Sequence, residues 1–240
     1  MGAVIALVAA AGCAGREPRG SNADSKPRTI TVFAAASLTD AFTAEASAYE
    51  KQTGKRVRFS FAGSQDLVAQ INQGAPADAV ATADATTLSK LKVKPAGSSV
   101  VFARNRLVIV TAPGNPKHIG GPADLARKGV VVVLAAPTVP AGEYTTTALA
   151  GAHAVVHPRS LEDNVRGVLT KVQFGEADAG IVYATDAKSA GAKVAIVALP
   201  TSPIASYPAV AIHPKGQGFV DFLTSPAGQA ILARFGFLPP

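Results

Sequence analysis

Two serines stand where an apolar strand gives way to a helical pattern: Ser37, in Ala36-Ser37-Leu38-Thr39-Asp40 after residues 30–35, and Ser64, in Gly63-Ser64-Gln65-Asp66 after residues 56–61. The first turn of a helix offers N–H groups without intrahelical partners and roughly half a positive charge. A hydroxyl placed there joins those N–H groups in holding an anion, with no formal cation required. Both junctions end successive β-α units and so fall on one edge of one sheet. Capping accounts for a serine at such a position equally well, and Ser37 with Asp40 has the spacing of a capping box. The residues alone leave both readings open.

Catalytic arrangements are missing beside these serines. Neither the phosphate-binding G-x-x-x-x-G-K-[ST] loop nor G-x-G-x-x-G occurs, and Gly63-Ser64 continues into Gln65 and Asp66 rather than closing a nucleophile elbow. A hydrolase built on Ser37 or Ser64 needs a histidine base and an acidic orienter. His118 and His213 lie in polar turns beside Lys117 and Pro214. His153 and His157 read as a strand-like edge stopped by Pro158, with no carboxylate or cysteine to complete a metal site. They are expected to be solvated surface residues.

Composition narrows the partners. The chain has 240 residues, 48% of them hydrophobic, enough for one or two domains. Its net charge of +7 and pI near 9.7 raise polyanions as partners, but only 16% of residues are charged and no run of five like charges occurs. Nucleic acid is therefore not expected. One cysteine excludes a disulfide framework, and the absence of Trp beside only ten Phe and four Tyr argues against a site built on stacking.

The elements that must position the serines follow from the apolar pattern. A helix is expected from Asp40 to about Gln52, stopped by Gly54, another from Ser64 to Gly74, a strand over 77–81, a short helix over 85–91 and a strong strand over 106–111. A second series follows: a short helix at 123–128, a strand at 130–135, a Thr/Ala-rich helix from about Glu143, a helix over 161–174 and a strand at 179–183. Strands at 194–198 and 207–212 and a helix over 219–235, interrupted at Ser225-Pro226, complete the chain. Strands alternating with helices imply an α/β fold. Two series in one chain suggest two small lobes with a ligand crevice between them.

The N-terminus carries an address. Residues 3–11 form an uncharged apolar run, too short for a bilayer span of about 20 residues but suited to the core of a signal peptide. Ala10-Ala11-Gly12-Cys13 resembles the lipobox of bacterial lipoproteins, although Ala10 stands where Leu is preferred. No Lys or Arg precedes the run, so the start is expected upstream of Met1. Residues 1–12 read as a signal peptide and 13–28 as a lipidated Cys13 with a flexible linker, which implies an extracytoplasmic protein anchored to the cell membrane.

Read as a whole, the body resembles the molybdate-binding proteins of bacterial ABC importers. The likeness runs from Val32-Phe33-Ala34-Ala35-Ala36-Ser37-Leu38 through Phe61-Ala62-Gly63-Ser64-Gln65 and Asn105-Arg106-Leu107-Val108. It continues through Thr138-Val139-Pro140-Ala141-Gly142-Glu143-Tyr144 and Asn164-Val165-Arg166-Gly167 to Gly180-Ile181-Val182-Tyr183. The A-A-A-S-L and V-P-A-G-x-Y segments are the specific ones. The resemblance implies a two-lobed, type II periplasmic-binding-protein fold, each lobe a mixed sheet flanked by helices, with a two-strand hinge.

It also implies a ligand and a site. Molybdate or tungstate would be held by the hydroxyls of Ser37, Ser64 and Tyr183 and by N–H groups of both serines, Ala141 and Val165, which meet the metal only through its oxygens. Tyr183 suits this role independently, since it ends an apolar strand and can bury its ring while presenting its hydroxyl. No cofactor is implied, the partner is an ABC permease, and the protein acts as a monomer. Lobe one would comprise 29–107 and 211–240, lobe two 108–210, with strands 106–111 and 207–212 as the crossings. Stretch 83–99 looks short relative to the family. Val165 makes a sharp demand: if Ser160 and Asp163 capped the helix, its N–H would be spent inside, so the helix must begin near Asp163 or Asn164. Sulfate is the rival ligand, separated from molybdate by cavity size alone.

Overall fold

Short apolar runs bounded by Gly, Pro and Asn become strands, and each turns sharply into a helix that covers the sheet. The computed structural model describes residues 1–3 and 29–240; Cys13 and the linker to residue 28 lie outside the described residues. In chain order the first series is β1 (Ile30–Ala35), α1 (Thr39–Thr53), β2 (Val57–Ala62), α2 (Ser64–Asn72), β3 (Ala79–Ala81), α3 (Ala85–Leu88) and β4 (Val100–Asn105). The second is β5 (Leu107–Thr111), β6 (Val132–Ala135), α4 (Pro140–Gly151), β7 (Ser160–Glu162), α5 (Val165–Gln173), β8 (Ala179–Tyr183), α6 (Ala184–Ala190) and β9 (Ala195–Val197). The chain then returns through β10 (Ala205–Ala211), α7 (Gln217–Thr224) and α8 (Pro226–Phe235).

Two five-stranded mixed sheets result, ordered β2-β1-β3-β10-β4 and β7-β6-β8-β5-β9. They share one plan. Three parallel strands stand beside an antiparallel fourth, which is β10 in the first sheet and β5 in the second. The fourth strand of each sheet is the one that abuts a crossing between lobes, so each crossing is locked into a sheet at once.

The crossings differ from the sequence expectation. The chain passes between lobes at Asn105-Arg106-Leu107 and again between β9 and β10, so all of β10 pairs within the first sheet, against β3 and β4. Residues 205–210 therefore belong to lobe one rather than lobe two, and the hinge is made of short connections instead of whole strands. Leu107 N–H donates to Ser202 Oγ at 2.7 Å, tying the two crossings together.

Other departures have local causes. The helix expected over 161–174 splits into β7 and α5 because Asn164 is extended and caps the helix behind it. The helix expected over 85–91 stops at Leu88, and the one expected at 123–128 is a 3-10 turn, Pro122–Ala126. Strand β4 has no counterpart in the sequence reading, since Arg104 and Pro95 interrupt the apolar pattern around it. Residues 152–159 form no strand; His153 adopts a positive φ of 52° there.

The core of lobe one is aromatic. Phe42 of α1 meets Phe59, Phe102 and Phe219 with ring centroids 5.7, 5.6 and 5.6 Å away, joining α1 to both sheet and α7. Burying each such ring contributes roughly 1.5–3 kcal/mol. Helix α1 ends where Gly54 takes φ +69°, donating its N–H to Glu50 O. That left-handed stop turns the chain directly into β2. The core of lobe two is aliphatic, built from β5, β6, β8 and the inner face of α5.

Candidate functional site

The parallel strands of both sheets point their C-terminal ends at the same crevice, where ligands of open α/β sheets are bound. Four helix starts follow those ends: the 3-10 turn Ala36–Leu38 that leads into α1, then α2, α4 and α5. Ser37, Ser64, Ala141, Val165 and Tyr183 all line one small cavity between the lobes. All five are buried, none more than 4% exposed.

Each helix start leaves a particular N–H unspent. In α5 the Asn164 side chain accepts from Arg166 and Gly167, so the first-turn N–H left over is that of Val165. The late helix start that the site demands is therefore observed, and Ser160 lies in β7 instead of capping. In α4 the first residue is Pro140, which has no N–H, and Ala141 follows as the first donor. Gly142 permits this arrangement. A Cβ there would stand 2.0 Å from Ala136 O, so only glycine lets the helix start press against the end of β6. In α2 Ser64 itself is the first helical residue.

The serines are not caps. Neither the turn at Ser37, nor α1 behind it, nor α2 has a side-chain capping bond. Ser64 Oγ instead accepts the Ala83 N–H at 3.1 Å, and Ser37 Oγ shares a buried hydrogen bond of 3.0 Å with the Tyr207 hydroxyl. The Tyr183 hydroxyl is buried without a hydrogen-bond partner among the described residues. Its ring packs edge-on against Tyr207, with centroids 5.6 Å apart. Burial pushes the Tyr183 and Tyr207 phenols well above their usual range, and both remain protonated donors.

The lining contains no charged side chain. The nearest cation in sequence, Arg166, is engaged elsewhere: it bonds Asp40 of α1 and stands 2.7 Å from Asp186 of α6 without a well-directed hydrogen bond to it. Complete burial pushes the Asp186 carboxyl up to about 7 against the pull of Arg166. Partial burial would raise Asp40 too, but its bond to Arg166 holds it below the usual carboxylate range.

These contacts also close the crevice. Arg166 joins lobe two to Asp40 of lobe one, Gln65 Nε2 donates across to Asp163 O at 2.9 Å, and Asn105 Nδ2 donates to Thr185 Oγ1 at 2.9 Å. Sequence reading missed Tyr207, Ala83, Arg166 and Gly63. Asn164 carried a signal, being a good capping residue directly before a helix. Tyr207 carried none, since it lies 170 positions from Ser37.

What the arrangement can do is hold an anion by neutral donors: three hydroxyls and the N–H groups of converging helix starts. Comparison with known proteins agrees with the architecture. The molybdate-binding protein ModA of Mycobacterium tuberculosis H37Rv is 39% identical over 99% of this chain and 94% of its own length. Escherichia coli K12 ModA, also named a molybdate-binding protein, is 34% identical over 90% of this chain and 91% of its own. Among solved structures, the periplasmic molybdate-binding protein of Azotobacter vinelandii superposes with a TM-score of 0.77 at 23% identity, covering 88% of this chain and 99% of that one. The family model described as bacterial extracellular solute-binding protein matches residues 30–238, which is the whole two-lobed body, and the chain belongs to that family.

Proposed function

We propose that this protein captures molybdate, and tungstate as well, in the crevice between its lobes and delivers it to the membrane permease of an ABC importer. The observation that carries the reading is the donor set: Ser37, Ser64 and Tyr183 hydroxyls with the N–H groups of Ala141 and Val165 around one uncharged, buried cavity. A tetrahedral dianion has acceptors on every side and no proton to give, so a cavity of donors matches it. Charge-assisted hydrogen bonds contribute roughly 1.5–3 kcal/mol each, and several together hold the dianion without a salt bridge that would hinder its release. The two ModA relatives, similar along nearly the whole chain, support the same ligand.

The role is binding and not catalysis. The hydroxyls of Ser37 and Ser64 pair with Tyr207 and the Ala83 N–H, neither of which is a general base. We place the body outside the cytoplasm, tethered as a monomer through lipidated Cys13, with no cofactor. Calorimetric titration of residues 29–240 with molybdate, tungstate and sulfate in a low-anion buffer tests the assignment. Tight binding of molybdate and tungstate with weak or absent sulfate binding is expected. Sulfate has the same charge and acceptors, and sulfate binding without molybdate binding would overturn the reading.

A further inference from the structure

A serine hydroxyl has one hydrogen and two acceptor lone pairs, and a dianion can use only the hydrogen. Any serine that serves such a ligand must therefore be prevented from turning its lone pairs toward it. For Ser64 a fixed donor helps do this, because the Ala83 N–H occupies one of its two lone pairs and orients the hydroxyl. For Ser37 the corresponding partner is the Tyr207 hydroxyl, 3.0 Å away on β10. Either atom of that pair can geometrically be the donor. A bound dianion decides the direction: when Ser37 gives its hydrogen to the ligand, the shared bond can persist only if Tyr207 donates.

We infer that Tyr207 is a positioning residue, whose hydroxyl orients Ser37 as a hydrogen-bond donor and withholds its lone pair from oxyanions that carry a proton. The inference rests on the oxyanion reading above and deepens it. Tyr207 is fully buried, with its ring held edge-on by Phe102, Tyr183 and Phe237 at centroid distances of 6.3, 5.6 and 5.4 Å. A ring clamped on three sides leaves the hydroxyl little freedom to leave Ser37. Burial pushes the phenol well above its usual range, which favours the protonated, donating form. Tyr207 lines no part of the cavity and acts through Ser37.

The test is a double-mutant cycle of Tyr207→Phe and Ser37→Ala, read by calorimetry with sodium molybdate and by competition with inorganic phosphate near pH 7. Phenylalanine preserves the ring contacts, and the melting temperature without ligand checks that the fold is intact. Tyr207→Phe is expected to weaken molybdate binding about tenfold in the wild-type background and less than twofold when Ser37 is already Ala. The ratio of molybdate to phosphate affinity is expected to fall in Tyr207→Phe, because the freed Ser37 lone pair can accept the phosphate proton. Equal weakening in both backgrounds would show a packing role only, and unchanged affinity and ratio would equally overturn the inference. Failure of the unmodified protein to bind molybdate would instead reject the oxyanion reading itself.

Discussion

At the scale of single residues, polar groups buried in this protein differ in what they pair with. Ser64 accepts the Ala83 N–H, Ser37 shares a hydrogen bond with Tyr207, and the Tyr183 phenol, beside Tyr207, has no well-directed hydrogen-bond partner among the described residues. Glu45 of α1 is different. Its side chain is wholly buried, both carboxylate oxygens lack hydrogen-bond partners among the described residues, and it does not line the cavity. Burial pushes this carboxyl from 4.5 up to about 8, weakly opposed by the charge of Arg234 on α8. Between those two values the unfolded chain loses the proton and the folded chain keeps it. The folded state then binds more protons, so stability present below pH 4.5 is lost as the pH rises through about 8. Glu45→Gln keeps the shape and cannot ionise. It is expected to match the wild-type melting temperature near pH 4 and to exceed it at pH 9, by a margin of up to about 5 kcal/mol in unfolding free energy. Parallel melting curves for the two proteins across that range would refute this.

At the scale of elements, the sequence was most legible where a strand, a tight turn and a helix follow one another. The apolar runs at β1, β6 and β8 stand out, and the helix starts after β1 and β2 follow the reading, whereas α4 begins at Pro140, ahead of the expected Glu143. Legibility failed where pairing decides. Strand β4 carries Arg104 and follows a stretch rich in Ser, Pro and Lys, yet it is a strand because β10 is beside it. The three residues of β7 are a strand because β6 is beside them, and their apolar Leu161 had suggested a helix. Gly63 shows the same dependence on distant neighbours. Its φ of −58° suits any residue, but a Cβ there would stand 2.5 Å from Asp163 O on the opposite lobe. The Gln65 side chain, also close, can move aside; a backbone carbonyl cannot without reopening the crevice. Gly63→Ala should therefore leave the ligand-free fold within about 1 kcal/mol of wild type, the usual scale of a capping change. It should weaken molybdate binding at least tenfold and abolish ligand-induced compaction in small-angle scattering. Normal compaction with normal affinity would show that the lobes close without this contact.

At the scale of the whole molecule, a chain with a net charge of +7 carries, between its lobes, a cavity lined by no cation. The two facts assign different tasks to charge and to donors. A diffuse positive field draws a dianion from solution, and salt screens it over a Debye length of about 10 Å at 0.1 M. On the oxyanion reading proposed above, neutral donors in the closed cavity hold the ligand, shielded from mobile ions. Contacts through Arg166, Asp40 and Gln65 hold the two lobes together beside that cavity. Association should thus depend on ionic strength and dissociation should not. With no Trp in the chain, tyrosine emission is the available signal, and Tyr183 and Tyr207 stand at and behind the site. Stopped-flow mixing with molybdate is expected to show the association rate falling severalfold between about 10 and 200 mM sodium chloride, beyond which screening is largely complete. The dissociation rate is expected to change less than twofold over the same range. A dissociation rate that climbs in step with salt would mean that the bound anion still feels surface charge, and that neutral donors alone do not hold it.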